Sequence, residues 1–196
     1  MLASRRHARI IALGAPLLCL SLAAAVLADV YIVPTDSMRP ALIAGDILLC
    51  LHGLERGRGD VVVFQSPVDR RLSVKRIVGV PTDELSYVKR VLTVNGQVSA
   101  KAFLAKLPID DPMDQLFEQN LTGRTFRIQE AYGESLTEVG KQTLSGYFVM
   151  GDNRDASSDS REFGEVPESG IRCKVLGILA TERSDGYSFD RVLALP

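Results

Sequence analysis

An uncharged apolar run of nineteen residues, from Ile10 to Ala28, limits what this chain can fold into more than any other feature. A helix of that length spans about 28 Å, which matches the hydrocarbon core of a bilayer. The tail before it, residues 1–9, carries three arginines and no acidic residue, which favours a cytoplasmic location. The sequence therefore predicts one transmembrane anchor at 10–28, followed by a domain at 29–196 outside the cytoplasm.

A cleavable signal peptide is the alternative interpretation of the same run. Its flanks fit one: a basic start, an apolar middle, and the triplet Val26-Leu27-Ala28 before Asp29. The residues alone leave cleavage and retention open. Both interpretations place 29–196 in an extracytoplasmic compartment.

The rest of the composition is that of a globular domain. The 196 residues are 46% hydrophobic, enough for a core, and the net charge of −1 gives no nucleic-acid footprint. Cys50 and Cys173 would lie in an oxidising compartment, where a disulfide can form if their strands are neighbours. Two cysteines do not make a disulfide scaffold in a domain of this size, so two buried thiols are the favoured interpretation.

Short β-strands dominate the prediction for this domain. Asn95-Gly96 predicts a two-residue hairpin turn. The segment 100–119 could hold a helical turn, but Pro108 and Pro112 interrupt it. The less regular stretch at about 83–145 indicates an insertion into a mostly β domain. Seven apolar or alternating runs rich in β-branched residues predict the strands, at 47–51, 61–64, 72–80, 91–94, 125–129, 147–150 and 171–181.

Ser37 and Lys75 form the candidate reactive pair. Ser37 lies in a turn between Pro34 and Pro40, nine residues beyond Ala28. Lys75 lies within a strand-like apolar run, where burial would lower its pKa and let it act as a base. The plain alternatives are a turn serine and an edge-strand lysine that discourages aggregation.

Other catalytic arrangements have less support in the sequence. His7 lies in the tail and His52 has no local partners, so a Ser-His-Asp triad would depend on His52 alone. The acidic cluster between Asp152 and Asp159 misses the calcium-loop spacing, and Arg154 is interleaved with it. Ion pairs and turn hydrogen bonds are the better explanation of this cluster, and no metal site is predicted.

Six sequence blocks occur in the order seen in bacterial type I signal peptidases, also called leader peptidases. They are VPTDSMRPAL, the GD of Gly45-Asp46, GDVVVF, VKRIVGVPTDEL, VNG and GDNRDASSDSREFGEVP. The chain resembles a short, single-anchor member of that family. The resemblance implies a mostly β fold: an antiparallel β catalytic core with a small β insertion subdomain, preceded by one retained transmembrane helix.

The resemblance also implies roles for single residues. Ser37 would be the acylating nucleophile and Lys75 its general base. Thr35, where the family usually has serine, would form the oxyanion hole with the Ser37 N–H, and Ser157 would orient the lysine. A supporting polar network would comprise Arg76, Asp152, Asn153, Asp159, Ser160 and Arg161.

The implied activity is removal of signal peptides from exported preproteins, after small residues in an Ala-x-Ala pattern. The substrate would bind as an added strand. The partners would be signal peptides and the lipid bilayer, with no nucleic acid, metal or cofactor. The location would be the bacterial inner membrane, with the N-terminus cytoplasmic and the catalytic domain extracytoplasmic. The groove would be lined by Tyr31, Val33, Pro34, Met38, Leu42, Leu72 and Val74.

Three other functions fit parts of the sequence. A specialised peptidase for a pilin or conjugation substrate fits the short chain. A LexA-like self-cleaving repressor shares the Ser-Lys pair, but it would lack the anchor and carry a DNA-binding segment. A catalytically dead, membrane-tethered binding module would not need to keep Ser37, Lys75 and Ser157 together.

Overall fold

The computed structural model describes residues 27–107, 114–133 and 137–192, and nearly all of the regular structure there is β-strand. One short helix, α1 (Ser160–Phe163), and a 3₁₀ turn (Glu168–Gly170) precede the longest strand. The strands are β1 (Ala28–Ile32), β2 (Asp46–Leu51), β3 (Val61–Gln65), β4 (Leu72–Gly79), β5 (Glu84–Val88), β6 (Val91–Val94), β7 (Gln97–Val98), β8 (Lys101–Lys106), β9 (Asp114–Leu121), β10 (Arg124–Ala131), β11 (Val139–Thr143), β12 (Phe148–Met150), β13 (Ile171–Arg183) and β14 (Gly186–Ser188).

The main sheet has the order β1-β2-β13-β3-β4-β12, with β14 paired to β13, and all its named pairs are antiparallel. Two smaller antiparallel sheets, β11-β5-β6-β7 and β10-β9-β8, lie between β4 and β12 in the chain. The mostly antiparallel β class is therefore confirmed. The two smaller sheets fall within the stretch where an insertion is predicted.

Apolar side chains on both faces of the main sheet explain why its strands read as continuous hydrophobic runs. Strand β2 alternates strictly between buried and half-buried residues, while β3 is buried at four of its five positions and β4 at six of its eight. One core cluster, with Val33, Leu48 and Val74, lies on one side of the sheet. A second, with Phe64 and Ile77, lies on the other. A third joins Val78 and Phe148 to the inserted sheets.

All seven predicted strands are present, with ends displaced by at most two residues. The hairpin is also confirmed: Asn95 and Gly96 have φ angles of 51° and 74°, as a type I′ turn requires. The helical turn suggested within 100–119 is wrong for its described residues, which form β8 and β9. These strands pair with each other, so sheet hydrogen bonding replaces the weak helical preference.

The predicted anchor lies almost entirely outside the described residues. Its last residue, Ala28, begins β1 and pairs with Leu51. Within the described ranges, no helix is long and apolar enough to cross a membrane.

Cys50 and Cys173 form a disulfide between β2 and β13. The favoured interpretation of two free buried thiols is therefore wrong. The two strands are direct neighbours in the sheet, and the pairing of Val175 with Cys50 brings Cys173 within reach. The Cα atoms are 5.6 Å apart, which is usual for a disulfide.

Candidate active site

Ser37 and Lys75 meet beside the end of the main sheet. Lys75 Nζ donates a hydrogen bond to Ser37 Oγ at 2.7 Å and another to the Val74 carbonyl at 3.0 Å. Ser37 is 8% exposed and Lys75 6% exposed. Residues 38 positions apart thus form a direct, nearly dry contact between a hydroxyl and an amine.

Burial lowers the pKa of Lys75 from 10.5 to about 8, because the charged ammonium loses its hydration. Three charged groups modify this effect: Asp159 and Asp152 raise the pKa, and Arg161 lowers it. A useful fraction of Lys75 is therefore neutral at mildly alkaline pH. A neutral amine at this distance can accept the proton of the Ser37 hydroxyl.

Backbone contacts fix the turn that carries Ser37. The Asn153 N–H donates to the Ser37 carbonyl at 3.1 Å, and the Asn153 side-chain amide donates to the Asp36 carbonyl at 3.3 Å. The Asp36 carboxylate in turn accepts from the Ala44 N–H at 2.9 Å. The position of Ser37 is thus tied to the loop after β12.

Thr35 lies next to the reactive hydroxyl. Its Oγ1 donates to Ser37 Oγ at 3.2 Å. Within the described ranges, the Ser37 N–H makes no hydrogen bond to another protein group. One free backbone donor and one hydroxyl donor therefore lie beside the nucleophile candidate.

Asp159 organises the loop behind Lys75. Its carboxylate accepts hydrogen bonds from the Gly151 N–H, the Ser157 hydroxyl and the Arg161 guanidinium at 2.8–2.9 Å. Burial alone would raise the pKa of Asp159, but Arg161 and these other donors hold it below its usual 3.8. The Ser160 hydroxyl accepts from the Val149 N–H at 2.9 Å and anchors the start of α1.

Ser157 differs from its expected role. The resemblance implies a hydrogen bond from Ser157 to Lys75, but the Ser157 hydroxyl donates to Asp159 at 2.8 Å. The carboxylate is the stronger acceptor because it is ionised. The Val74 carbonyl, instead of Ser157, orients the Lys75 amine in this structure.

A buried ion pair lies on the other side of the dyad. Arg76 and Asp152 are each 1% exposed at the side chain, and two guanidinium nitrogens bond the carboxylate, the shortest contact being 2.7 Å. A third nitrogen donates to the Gly59 carbonyl at 2.8 Å, and the Phe126 ring lies 4.2 Å from the guanidinium carbon. A fully buried charge needs this number of partners to be tolerated.

An apolar cavity of about 70 Å³ lies between β1 and β4, and Val74, the residue before Lys75, is part of its lining. Its lining includes five of the residues expected to form a substrate groove, and their contact with substrate stays a prediction: Tyr31, Val33, Pro34, Leu72 and Val74. The β12 ladder on β4 starts only at Arg76, so no described strand pairs with that edge of β4 between Leu72 and Lys75. Among the described strands, β1 pairs with β2 alone, so its other edge is also free there.

Met38 and Leu42 do not line this cavity. Both are fully buried in the core cluster that contains Val33 and Val74. The turn after Ser37 folds back on itself, with Leu42 N–H donating to the Met38 carbonyl, and both side chains point inward. Both side chains thus pack beneath the residues that line the cavity, and any direct contact with substrate stays a prediction.

His52 and the acidic cluster have other partners. His52 Nε2 contacts Asp29 at 2.9 Å at the β1 end of the sheet. Asp152, Asp155 and Asp159 each pair with an arginine, as the sequence indicated. In the described part of the chain, no group of three metal-ligating side chains is present.

Sequence reasoning missed several residues that support the site. Gly151 packs so closely on the Ser37 turn that an added Cβ would lie 2.5 Å from the Ser37 carbonyl oxygen. Arg154 is 2% exposed and donates to the Gly151 carbonyl at 3.0 Å. Only the position of Arg154 inside a dense polar block hinted at this role. Phe126 gave no signal, because it comes from the distant insertion.

Comparisons with known proteins place this geometry in context. The family model described as "Signal peptidase, peptidase S26" matches residues 6–179. Signal peptidase I of Pseudomonas aeruginosa is 30% identical over 83% of this chain, which spans 64% of that relative's length. Signal peptidase I V of Bacillus subtilis is 34% identical over 72% of this chain and 79% of its own. A solved signal peptidase I from Enterococcus faecalis covers 62% of this chain and 97% of its own, with 23% identity and a TM-score of 0.40.

Proposed function

The chain belongs to the signal peptidase family, peptidase S26, and we propose that it is a serine endopeptidase that removes signal peptides from exported preproteins. The observation that carries the proposal is the 2.7 Å contact between Lys75 Nζ and Ser37 Oγ, both buried. The pKa of Lys75, lowered to about 8 by burial, makes the amine a base suited to this hydroxyl.

In the proposed reaction, neutral Lys75 takes the Ser37 proton as Oγ attacks the scissile carbonyl carbon. The Ser37 N–H and the Thr35 hydroxyl stabilise the oxyanion. The Thr35 hydroxyl gives up its hydrogen bond to Ser37 Oγ when Oγ bonds to the carbonyl carbon, and it then donates to the oxyanion. The Lys75 ammonium then gives its proton to the leaving amine, and an acyl-enzyme remains. Lys75 next deprotonates the water that hydrolyses the ester, and it returns the proton to Ser37.

The cavity between β1 and β4 supports specificity for small residues. Its volume of about 70 Å³ is roughly half that of an engineered cavity of about 150 Å³ that binds benzene, so it favours small side chains over an aromatic ring. An extended peptide entering between the free edges of β1 and β4 would gain backbone hydrogen bonds from both. Its alternate side chains at −1 and −3 would point into this cavity, so both need to be small.

We also propose that the part of the apolar run 10–28 that precedes β1 anchors the domain in the bacterial inner membrane, with residues 1–9 in the cytoplasm. The sequence supports this through the apolar run and the arginines before it. Protease added to spheroplasts should then digest the domain from outside. Full protection of the chain in intact spheroplasts would contradict this topology.

A cleavage assay tests the enzyme activity. Detergent-solubilised protein should cut a preprotein with an Ala-x-Ala site, and the Ser37→Ala variant should leave it intact. Replacing the −1 alanine of the substrate by phenylalanine should stop cleavage by the wild type. Binding without cleavage by both proteins would instead indicate a catalytically dead binding module, and equal cleavage of the two substrates would contradict the groove assignment.

A further inference from the structure

Strand β10 of the inserted three-stranded sheet runs beside the catalytic loop, defined here as residues 151–161. The Gln129 N–H donates to the Asp152 carbonyl at 2.8 Å, and the Arg154 N–H donates to the Gln129 carbonyl at 2.9 Å. These two bonds form a parallel β-bridge between Gln129 and Asn153. The insertion thus holds the backbone of the loop that also bonds the Ser37 carbonyl.

Side chains extend this contact to the buried ion pair. Phe126, in β10 and 3% exposed, places its ring 4.2 Å from the Arg76 guanidinium carbon. An aromatic face attracts a cation, most strongly where both are dry, as here. Farther along, Arg154 donates to Gln119 of β9. The hydrogen bonds of Arg76 to Asp152 and Gly59 hold the edges of its guanidinium group. The Phe126 ring packs on the flat face that these bonds leave open.

We propose that Phe126 is a positioning residue, whose ring holds the Arg76–Asp152 ion pair, and with it the catalytic loop, against the Ser37–Lys75 dyad. The inserted sheets are then part of the catalytic apparatus. This inference rests on the proposed peptidase function for its kinetic test, and on the ion pair alone for its spectroscopic test.

The electrostatic consequence has a definite sign. The charged groups that act on Lys75 are Asp152, Asp159 and Arg161. Arg76 neutralises Asp152, so an Arg76 that drifts away leaves more negative charge near the amine. The pKa of Lys75 would then rise, and less of the neutral base would be present at pH 7.

The test compares Phe126→Leu, Phe126→Met and Phe126→Tyr in the full-length, detergent-solubilised protein. The leucine and methionine variants fill most of the volume of the Phe126 side chain but have no aromatic ring. Phe126→Tyr keeps the aromatic ring and adds one hydroxyl group. Phe103→Leu is the control for loss of a ring elsewhere in the same sheet, because Phe103 is 55% exposed and contacts Phe117 edge-to-face.

The kinetic readout is kcat/KM against pH for the Ala-x-Ala preprotein. A pKa rise of about one unit would lower kcat/KM about tenfold at pH 7 and less than twofold at pH 10, mainly through kcat. We expect this from the ringless variants, and wild-type behaviour from Phe126→Tyr and Phe103→Leu. A loss that is equal at all pH values, or no loss at all, would overturn the proposal.

The spectroscopic readout needs no substrate. The Lys75 signal of protein labelled with ¹³C at lysine Cε, assigned with Lys75→Arg, reports its titration directly. The titration midpoint should rise in the ringless variants and stay in place in Phe126→Tyr. An unchanged midpoint in Phe126→Leu and Phe126→Met refutes the positioning role, whether or not any preprotein is cleaved.

Discussion

Lys75 is the residue on which the proposed chemistry depends. A lysine serves as a general base only where its neutral form is populated near the working pH. Burial favours that form, while Asp152 and Asp159 oppose it and Arg161 supports it. The pKa of about 8 is the balance of these effects. Replacing Lys75 should therefore lower activity and raise stability, as the next two predictions state.

The cleavage rate of the wild type should rise with pH through a midpoint near 8, as Lys75 loses its proton. Lys75→Arg should lose nearly all turnover, because a guanidinium stays protonated. Initial rates from pH 6 to 10, with circular dichroism to verify folding, provide the measurement. A flat profile, or an active arginine variant, would show that another group is the base.

Lys75→Met should stabilise the fold. The folded pKa of about 8 lies below the unfolded 10.5, so the folded state disfavours the ammonium form. This cost, about 3 kcal/mol, is fully present below pH 8 and disappears as pH rises to 10.5. In urea unfolding, the free energy of unfolding of Lys75→Met should therefore exceed that of the wild type at pH 7, and the difference should be smaller at pH 10. No gain at pH 7 would mean that the amine is better solvated than its burial indicates.

The sequence identifies the reacting atoms better than their supports. Ser37 and Lys75 stand out through their unusual settings and their sequence blocks, and the structure brings them together. The hydrogen-bond partner of the Ser157 hydroxyl could not be predicted, because both the Asp159 carboxylate and the Lys75 amine are chemically suitable partners for a hydroxyl. The inward orientation of Met38 and Leu42 depends on how the turn folds back, which residue types do not reveal.

At the scale of elements, the catalytic loop is held by close backbone approach at Gly151. Gly151→Ala would push a Cβ against Ser157, which is bonded to Asp159, and to 2.5 Å from the Ser37 carbonyl oxygen, which accepts from the Asn153 N–H. We expect a loss of about 1–3 kcal/mol in the free energy of unfolding and a large loss of cleavage. Chemical unfolding and initial rates measure both.

The matched control for this prediction is Gly140→Ala in β11. A Cβ there meets nothing within 4 Å, so the free energy of unfolding should change by less than about 0.5 kcal/mol. If both alanine variants behave alike, close packing at Gly151 is not what positions the loop.

Strands β3 and β4 were predictable because both their faces are mostly buried, which favours runs rich in β-branched apolar residues; Lys75 and Arg76 are the charged exceptions in β4. Strands of the insertion were mostly missed. Strand β8 is exposed at five of its six positions, and β11 at four of five. Their sequences carry little hydrophobic pattern, and pairing with neighbouring strands determines their structure.

At the scale of the whole molecule, the disulfide joins residues 123 positions apart. Closing so long a loop restricts the unfolded chain, so Cys50→Ala/Cys173→Ala should lower the free energy of unfolding by about 3–5 kcal/mol. Thermal unfolding with and without reductant measures this effect. Alkylation of both thiols in denatured, non-reduced protein would show that the bond does not form.

The same bond makes the chain from Cys50 to Cys173 a closed covalent ring, which contains Lys75, both inserted sheets and the catalytic loop. Ser37 lies outside this ring, in the segment of chain that precedes Cys50. A single nick anywhere between residues 51 and 172 therefore opens the ring without separating the pieces. The nucleophile and its base would remain parts of one molecule.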